Sequence, residues 1–137
     1  MLEPTLNVLI VDDEPGDRML EKLALAELDF SCTMRSALRT DEAIGHLEHW
    51  AAMEGSGLDV ILLDGHLQKR RATDIIDYVK GHARLKDIHV VVLSGSITRA
   101  EHNLFLRHGA DAVLEKSADF NELVQTLATL KRYARAA

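Results

Sequence analysis

Residues 6–14 read Leu-Asn-Val-Leu-Ile-Val-Asp-Asp-Glu, a largely apolar run that ends in three acids. Residues 60–64, Val-Ile-Leu-Leu-Asp, and residues 90–94, Val-Val-Val-Leu-Ser, repeat the pattern of an apolar run closed by a polar residue. Nearly unbroken apolar runs of this length are typical of strands that are covered on both faces in a parallel sheet. Two weaker runs, at 30–34 and 112–114, bring the predicted strands to five.

The intervals between these runs carry apolar residues at helical spacing. The predicted apolar faces are Leu20, Leu23, Ala24 and Leu28 in the first helix; Ala43, Ile44, Leu47 and Ala51 in the second; Ile75, Ile76 and Val79 in the third; Leu104 and Phe105 in the fourth; and Phe120, Leu123, Val124, Leu127 and Leu130 in the fifth. Pro15 favours a first helical turn, and Thr98 and Glu101 have the spacing of a capping box. Strands that alternate with helices in this way predict an α/β fold, a doubly wound five-stranded parallel sheet with helices on both faces.

The composition supports a single globular domain and argues against several functions. The chain has 137 residues, 47% of them hydrophobic, which is enough for one domain with its own core. A net charge of −6 argues against binding nucleic acid or anionic membranes through charge. Cys32 is the single cysteine, so the sequence predicts neither a disulfide framework nor a cysteine metal cage. With no apolar run of membrane-spanning length and no signal peptide, we expect a cytoplasmic protein.

Polar side chains close four of the predicted strands, and in a parallel sheet these strand ends lie at one edge. They are Asp12 and Asp13, Asp64, Ser94 and Lys116. Three carboxylates at close quarters repel one another unless a counter-charge is bound. Oxygen ligands favour a hard cation, and a site that also accepts a phosphate oxygen favours Mg²⁺. With a lysine, a hydroxyl and an aspartate nucleophile, this edge has what the transfer of a phosphoryl group to a carboxylate requires.

The motifs that carry these residues are similar to those of the receiver domain of two-component response regulators. They lie at residues 10–14 (Ile-Val-Asp-Asp-Glu), 61–64 (Ile-Leu-Leu-Asp), 91–96 (Val-Val-Leu-Ser-Gly-Ser) and 109–116 (Gly-Ala-Asp-Ala-Val-Leu-Glu-Lys). The resemblance covers about residues 5–134 and implies a flavodoxin-like sheet with strand order 2-1-3-4-5. It implies that residues 1–137 form one receiver domain of the stand-alone type, without an effector domain.

The resemblance also implies the metal site and the phosphoacceptor. Asp64 would be phosphorylated by a sensor histidine kinase or a histidine phosphotransfer protein. Asp13 would ligate Mg²⁺ directly, and Asp12 would act in the same acidic pocket, often through water. Asp64 and the backbone carbonyl of His66 would complete the protein ligands of the metal.

Two further residues and the output follow from the same resemblance. Ser94 would donate a hydrogen bond to the phosphoryl group, and Lys116 would pair with the phosphoryl oxygens. Such a domain is a phosphoacceptor and not a turnover enzyme on a separate substrate. It would signal by a population shift that alters contacts with a downstream protein or with a second copy of the chain.

Three positions depart from the family pattern. Val113 stands where receivers usually carry Tyr or Phe, and the loop after Asp64 lacks the usual Pro and Asp-Gly pair. Ser117 follows Lys116 where proline is usual, and a cis bond to a serine costs about 2.5–4 kcal/mol, which favours a trans bond or a differently shaped loop. The missing ring supports an alternative function, a receiver-like module that binds partners without phosphorylation. A separate hypothesis is that the His66 side chain tunes the access of water to the phosphoryl group.

Overall fold

The structure is a computed structural model that describes residues 4–52, 57–67 and 71–136. Its strands and helices alternate as the sequence predicts. The strands are β1 (Pro4–Val11), β2 (Ser31–Ala37), β3 (Val60–Asp64), β4 (His89–Ser94), β5 (Ala112–Glu115) and β6 (Arg135–Ala136). The helices are α1 (Pro15–Ala26), α2 (Thr40–Ala52), α3 (Ala72–Lys80), α4 (Arg99–His108) and α5 (Phe120–Ala128), followed by a 3₁₀ helix (Thr129–Tyr133).

Strands β1 to β5 form a parallel sheet in the order β2-β1-β3-β4-β5, which confirms the flavodoxin-like topology. Val11 at the end of β1 pairs with Ala37 of β2 on one side and with Leu63 of β3 on the other. The strand order therefore reverses at β1 and β3, and in open α/β sheets ligands bind beyond the strand ends at such a point. Both strands end in acids at this place.

Helices cover both faces of the sheet, and each face has its own apolar cluster. Side chains of α2, α3 and α4 pack on the face that Leu9 and Val11 present, and side chains of α1 and α5 pack on the face of Val8 and Ile10. All five residues of β3 are buried. This burial on both faces explains why the runs at 60–64 and 90–94 are almost continuously apolar.

Strand β2 lies at the edge of the sheet, and its sequence reflects this position. The weak apolar run predicts a strand at 30–34, whereas β2 extends over Ser31–Ala37. Its residues alternate between exposed and half-buried up to the buried Ala37. An edge strand with one exposed face needs few apolar residues, so its boundaries are weakly marked in the sequence.

The predicted apolar face of α1 is wrong in part. Leu20 and Leu23 are 41% and 50% exposed, whereas Glu21 and Leu25 are buried. The helix is rotated so that Asp17 and Glu21 lie next to the carboxyl end of the sheet, where Asp17 contacts Lys116. Polar contacts at the strand ends, and not the leucine spacing alone, therefore set the orientation of α1.

The ends of two helices follow their predicted signals. Pro15 opens α1, and Glu14 caps it by accepting a hydrogen bond from the N–H of Gly16. Thr98 and Glu101 form a complete capping box at the start of α4. These local signals fix where the chain leaves each strand end and begins the next helix.

The sequence does not predict β6. Arg135 and Ala136 pair antiparallel with the first residues of β1, beside the start of β3. The Arg135 guanidinium contacts the buried carboxylate of Asp59 at 2.5 Å, and Tyr133 stacks on the ring of His89 with centroids 4.2 Å apart. The last turn of the described chain is thus fixed to the edge of the sheet opposite the polar strand ends.

Candidate functional site

Three aspartates meet at the carboxyl ends of β1 and β3. Asp12 and Asp13 directly follow β1, and Asp64 is the last residue of β3. Because these two strands are neighbours in register, carboxylate oxygens of Asp12, Asp13 and Asp64 lie within 4.8 Å of one another. The predicted convergence of the three acids at this edge is present in the structure.

Lys116 enters the same cluster from the end of β5. Its Nζ lies 3.0 Å from an oxygen of Asp12, 3.0 Å from an oxygen of Asp17 and 3.8 Å from an oxygen of Asp64. Sequence reasoning missed Asp17, although its place one turn into α1, directly after the acidic strand end, is a usable signal. Arg18 from the same turn donates to the backbone oxygen of Asp12 at 2.8 Å, which fixes the start of the loop.

Burial and neighbouring charge shift the pKa of three groups here. Burial raises the pKa of Asp64. The hydrogen bond from the His66 N–H and the charge of Lys116 lower that pKa, but burial outweighs them. Burial and a hydrogen bond with Asp12 raise the pKa of Glu21 to about 9. Burial lowers the pKa of Lys116, but its hydrogen bonds to Asp12 and Asp17 outweigh burial and raise that pKa above its usual value. The cluster therefore holds more acid than Lys116 can neutralise.

Glu21 is a second residue that sequence reasoning missed. It is 2% exposed, and one of its carboxyl oxygens has no hydrogen-bond partner among the described residues. It stands at a core-facing position of α1, next to Ala24 and Leu25 in the buried set of that helix. An acid at an apolar position of a predicted helix is the signal that could have identified it.

Ser94, the last residue of β4, is completely buried in the same region. Its hydroxyl has no hydrogen-bond partner in the part of the chain that the structure describes. Its main chain is held from the β5 side, where the Lys116 N–H donates to the Ser94 oxygen at 2.8 Å. A buried hydroxyl without a partner costs free energy, which is expected where a ligand supplies the missing partner.

Gly65 allows the loop after Asp64 to lie directly against Ser94. A Cβ added at Gly65 would lie 3.0 Å from the Ser94 Cβ and 3.2 Å from its hydroxyl oxygen. The Gly65 N–H also donates to the Leu93 oxygen at 3.3 Å. The absence of a side chain at residue 65 therefore brings the loop after Asp64 close to the end of β4.

His66 contacts both Asp64 and the loop that follows Ser94. Its backbone N–H donates to an oxygen of Asp64 at 3.1 Å, and its Nε2 lies 2.8 Å from the Ser96 carbonyl oxygen. The role of its backbone carbonyl as a metal ligand stays a prediction. Residues 68–70, which follow in the sequence, lie outside the described residues.

The residues present fit a hard divalent cation. Asp12, Asp13 and Asp64 supply carboxylate oxygens close enough for one ion, without a sulfur or imidazole ligand among them. Burial raises the pKa of Asp64, and the neighbouring charges of Asp12 and Asp13 act in the same direction, so positive charge is in short supply here. A divalent cation would remove this imbalance, and oxygen ligands of this kind suit Mg²⁺.

Val113, which stands where receiver domains usually carry Tyr or Phe, lies half-buried beside α4. It packs on the edge of the apolar cluster that α2 and α3 share, and it borders an open groove between α4 and β5. The groove also includes Thr98, His102 and Glu115 in its lining. The described residues contain no cis peptide bond, so Lys116–Ser117 is trans.

Comparison with known proteins decides the family. The model of the response regulator receiver domain matches residues 8–128 of the chain. The chain belongs to this family. Receiver domains bind Mg²⁺ or Mn²⁺ in an acidic pocket and interact with histidine kinases or phosphotransfer proteins and with downstream targets. The described part of this receiver contains no helix that is both long and apolar enough to cross a bilayer.

Individual relatives agree with the family assignment. The receiver is 28% identical over 129 residues to the probable methanogenesis regulatory protein FilR2 of Methanothrix harundinacea (strain 6Ac), with 92% of this chain and 81% of that protein covered. Its structure resembles that of the phosphorylated cyanobacterial phytochrome response regulator RcpA, with a TM-score of 0.80, 26% identity, and 94% and 93% of the two chains covered. The Mn²⁺-bound response regulator Rcp1 shares the fold, with a TM-score of 0.76, 21% identity, and 93% of each chain covered.

Proposed function

We propose that this receiver accepts a phosphoryl group on Asp64 from a phosphohistidine of a sensor kinase or a phosphotransfer protein, in a Mg²⁺-dependent reaction. The observation that carries the proposal is the meeting of Asp12, Asp13 and Asp64 with the Lys116 ammonium at one sheet edge. The phosphorylated state of the similar protein RcpA and the Mn²⁺ bound to Rcp1 support it.

The reaction forms one bond and breaks one. A carboxylate oxygen of Asp64 attacks the phosphorus, the phosphorus–nitrogen bond of the donor breaks, and the released imidazole nitrogen takes a proton. Lys116, which contacts Asp12 and lies 3.8 Å from Asp64, is placed to pair with a phosphoryl oxygen. The Ser94 hydroxyl, which has no hydrogen-bond partner among the described residues, can donate to another phosphoryl oxygen.

The three aspartates are the residues that would hold Mg²⁺. The bound ion would screen the repulsion between the carboxylates and the incoming phosphoryl oxygens. Asp12, which is fully buried and hydrogen-bonded by the Glu14 N–H and by Lys116, is held in place by the protein. Asp13 is half-buried and Asp64 is 8% exposed, so both are more accessible to a donor than the fully buried Asp12.

The output we propose is a change in protein contacts. Phosphorylation would give the Ser94 hydroxyl a partner and would shift the loop between β4 and α4 with it. The receiver would then bind a downstream protein or a second copy of itself, and it would act as a phosphoacceptor without turning over a separate substrate. That the chain lacks an effector domain stays a prediction.

A second candidate function is a binding module that needs no phosphorylation. The observation that favours it is Val113, because a valine cannot move in and out of the groove beside α4 as a ring would. The acidic cluster, Lys116 and the buried Ser94 hydroxyl are not needed for such a function. They favour the phosphoacceptor.

The intact mass of the protein after incubation with acetyl phosphate tests the proposal. We expect one added phosphoryl group with Mg²⁺ present and none in EDTA. Asp64→Asn should show no addition, whereas Asp87→Asn, a matched change at an exposed acid outside the cluster, should be phosphorylated like the wild type. An unmodified wild type under all conditions would refute the phosphoacceptor and favour the binding module.

A further inference from the structure

His66 lies between the phosphoacceptor and the loop that follows Ser94. Its backbone N–H donates to an oxygen of Asp64 at 3.1 Å. Its imidazole Nε2 lies 2.8 Å from the Ser96 carbonyl oxygen, in the loop between β4 and α4. Since a carbonyl oxygen only accepts hydrogen bonds, Nε2 must carry the hydrogen. One residue thus connects two loops that are 30 positions apart in the sequence.

Ser94 is enclosed by the same two loops. Gly65 packs against its side chain, since a Cβ there would come within 3.0 Å of the Ser94 Cβ. On the far side the Lys116 N–H holds the Ser94 carbonyl. The hydroxyl itself has no partner among the described residues, so its own hydrogen bonds do not fix its position. The placement of the hydroxyl therefore depends on how firmly the neighbouring loops are held.

We propose that the His66 side chain is a positioning residue, which acts through the Ser96 carbonyl to hold the β4–α4 loop, and with it the Ser94 hydroxyl, beside Asp64. The inference rests on the proposed phosphorylation of Asp64. It adds a role for the His66 side chain, to which the family resemblance assigns none. The role does not involve the His66 carbonyl, which every substitution at residue 66 leaves in place. It also differs from control of water access, because it acts through the serine.

Two substitutions separate the hydrogen bond from the volume of the ring. His66→Phe retains a planar ring but cannot donate, whereas His66→Gln offers an amide N–H that can donate to the same carbonyl. With Mg²⁺ and acetyl phosphate, we expect His66→Phe to be phosphorylated about threefold to tenfold more slowly than the wild type. His66→Gln should recover most of this loss. Because His66 is at the surface, both variants should unfold at the wild-type urea midpoint.

A double-mutant cycle with Ser94→Ala tests whether His66 acts through the serine. If it does, His66→Phe should change the phosphorylation rate by less than about twofold once the Ser94 hydroxyl is absent. Ser96→Ala is the matched control, because it removes an exposed side chain but keeps the carbonyl acceptor, and it should retain the wild-type rate.

The outcomes are distinguishable. A wild-type protein that takes up no phosphoryl group overturns the proposed function itself. A wild type that is phosphorylated overturns only this inference if His66→Phe reacts at its rate, if His66→Gln is as slow as His66→Phe, or if the loss is undiminished in Ser94→Ala. A loss that glutamine rescues and that vanishes without the serine supports it.

Discussion

Acids lie at both ends of the parallel strands, and the protein holds the acids differently at the two ends. At the edge where the parallel strands begin, Asp111 accepts hydrogen bonds from the Val90 N–H at 2.7 Å and from Lys80 Nζ at 3.0 Å. Asp59 accepts one from the Asn7 N–H at 2.8 Å. Burial raises the pKa of Asp111, but the hydrogen bonds from Val90 and Lys80 outweigh burial and lower that pKa below its usual value.

At the edge where the strands end, the acids are crowded together. Asp12, Asp13 and Asp64 lie within 4.8 Å of one another, and the pKa of Asp64 is raised. Acids that are paired one by one with donors stabilise the fold. We propose that the crowded acids instead serve a cation and a phosphoryl group, because such ligands would supply the contacts that the protein does not.

The largest expected effect follows the loss of Lys116. Lys116→Met removes the ammonium between Asp12 and Asp64 and should slow phosphorylation by about a hundredfold or more. It should also lower the free energy of unfolding in EDTA by about 3 kcal/mol, because the buried Asp12 carboxylate loses the ammonium that neutralises it. Mg²⁺ should restore part of this stability. Urea titrations with and without Mg²⁺ measure it, and equal losses in both buffers would contradict the crowded-acid interpretation.

The second effect is a pH dependence that belongs to the crowded edge. The pKa of Glu21 is about 9 in the folded protein and 4.5 when unperturbed. Between these values the folded chain keeps a proton that the unfolded chain has lost, so stability falls as pH rises, by about 1.4 kcal/mol per pH unit at most. In EDTA, Glu21→Gln should flatten the decline between pH 6 and pH 8. An unchanged slope in urea titrations of the variant would show that Glu21 ionises normally.

A smaller effect is expected at the opposite edge. Lys80→Met retains the bulk of the side chain but removes its hydrogen bonds to Asp111 and to the Ile88 oxygen. We expect a loss of stability of about 1–3 kcal/mol that Mg²⁺ does not reverse. Phosphorylation by acetyl phosphate should proceed at the wild-type rate. A slower reaction would mean that the two ends of the strands are coupled, and it would contradict a purely structural role for Asp111.

The smallest effect is expected for the unpredicted terminal strand. Arg135 is largely exposed, and Asp59 keeps its bond from Asn7 when the guanidinium is removed. Arg135→Ala should therefore cost about 1 kcal/mol of unfolding free energy, with no change in phosphorylation. The urea midpoint gives the first quantity and intact mass the second. A loss several times larger would show that β6 is essential to the sheet.

The sequence predicts the topology well because the decisive strands are buried on both faces. Their apolar runs end where the chain reaches the site, so Asp64 and Ser94 are each the last residue of a strand as well as a functional candidate. Strand β6 could not be predicted in this way, since two residues carry no periodicity. The apolar runs also place β2 imprecisely, because an edge strand needs few apolar residues.

Within the site, the strand ends are predictable and the contacts from α1 are not. Leu20 and Leu23 have the spacing of a core face, yet the helix is rotated toward Asp17 and Glu21. The spacing of apolar residues predicts that a helix forms. Which face of that helix packs on the sheet depends on tertiary contacts, which the spacing does not reveal. The packing of Gly65 on Ser94 is likewise a contact between distant segments, visible only once the strands are assembled.

The site of phosphorylation tests the account most directly. After incubation with acetyl phosphate and Mg²⁺, borohydride reduces an aspartyl phosphate to homoserine, and peptide mapping by mass spectrometry locates the reduced residue. We expect homoserine at position 64, and none when Mg²⁺ is replaced by EDTA. Homoserine at position 12 or 13 instead, or at no aspartate at all, would contradict it.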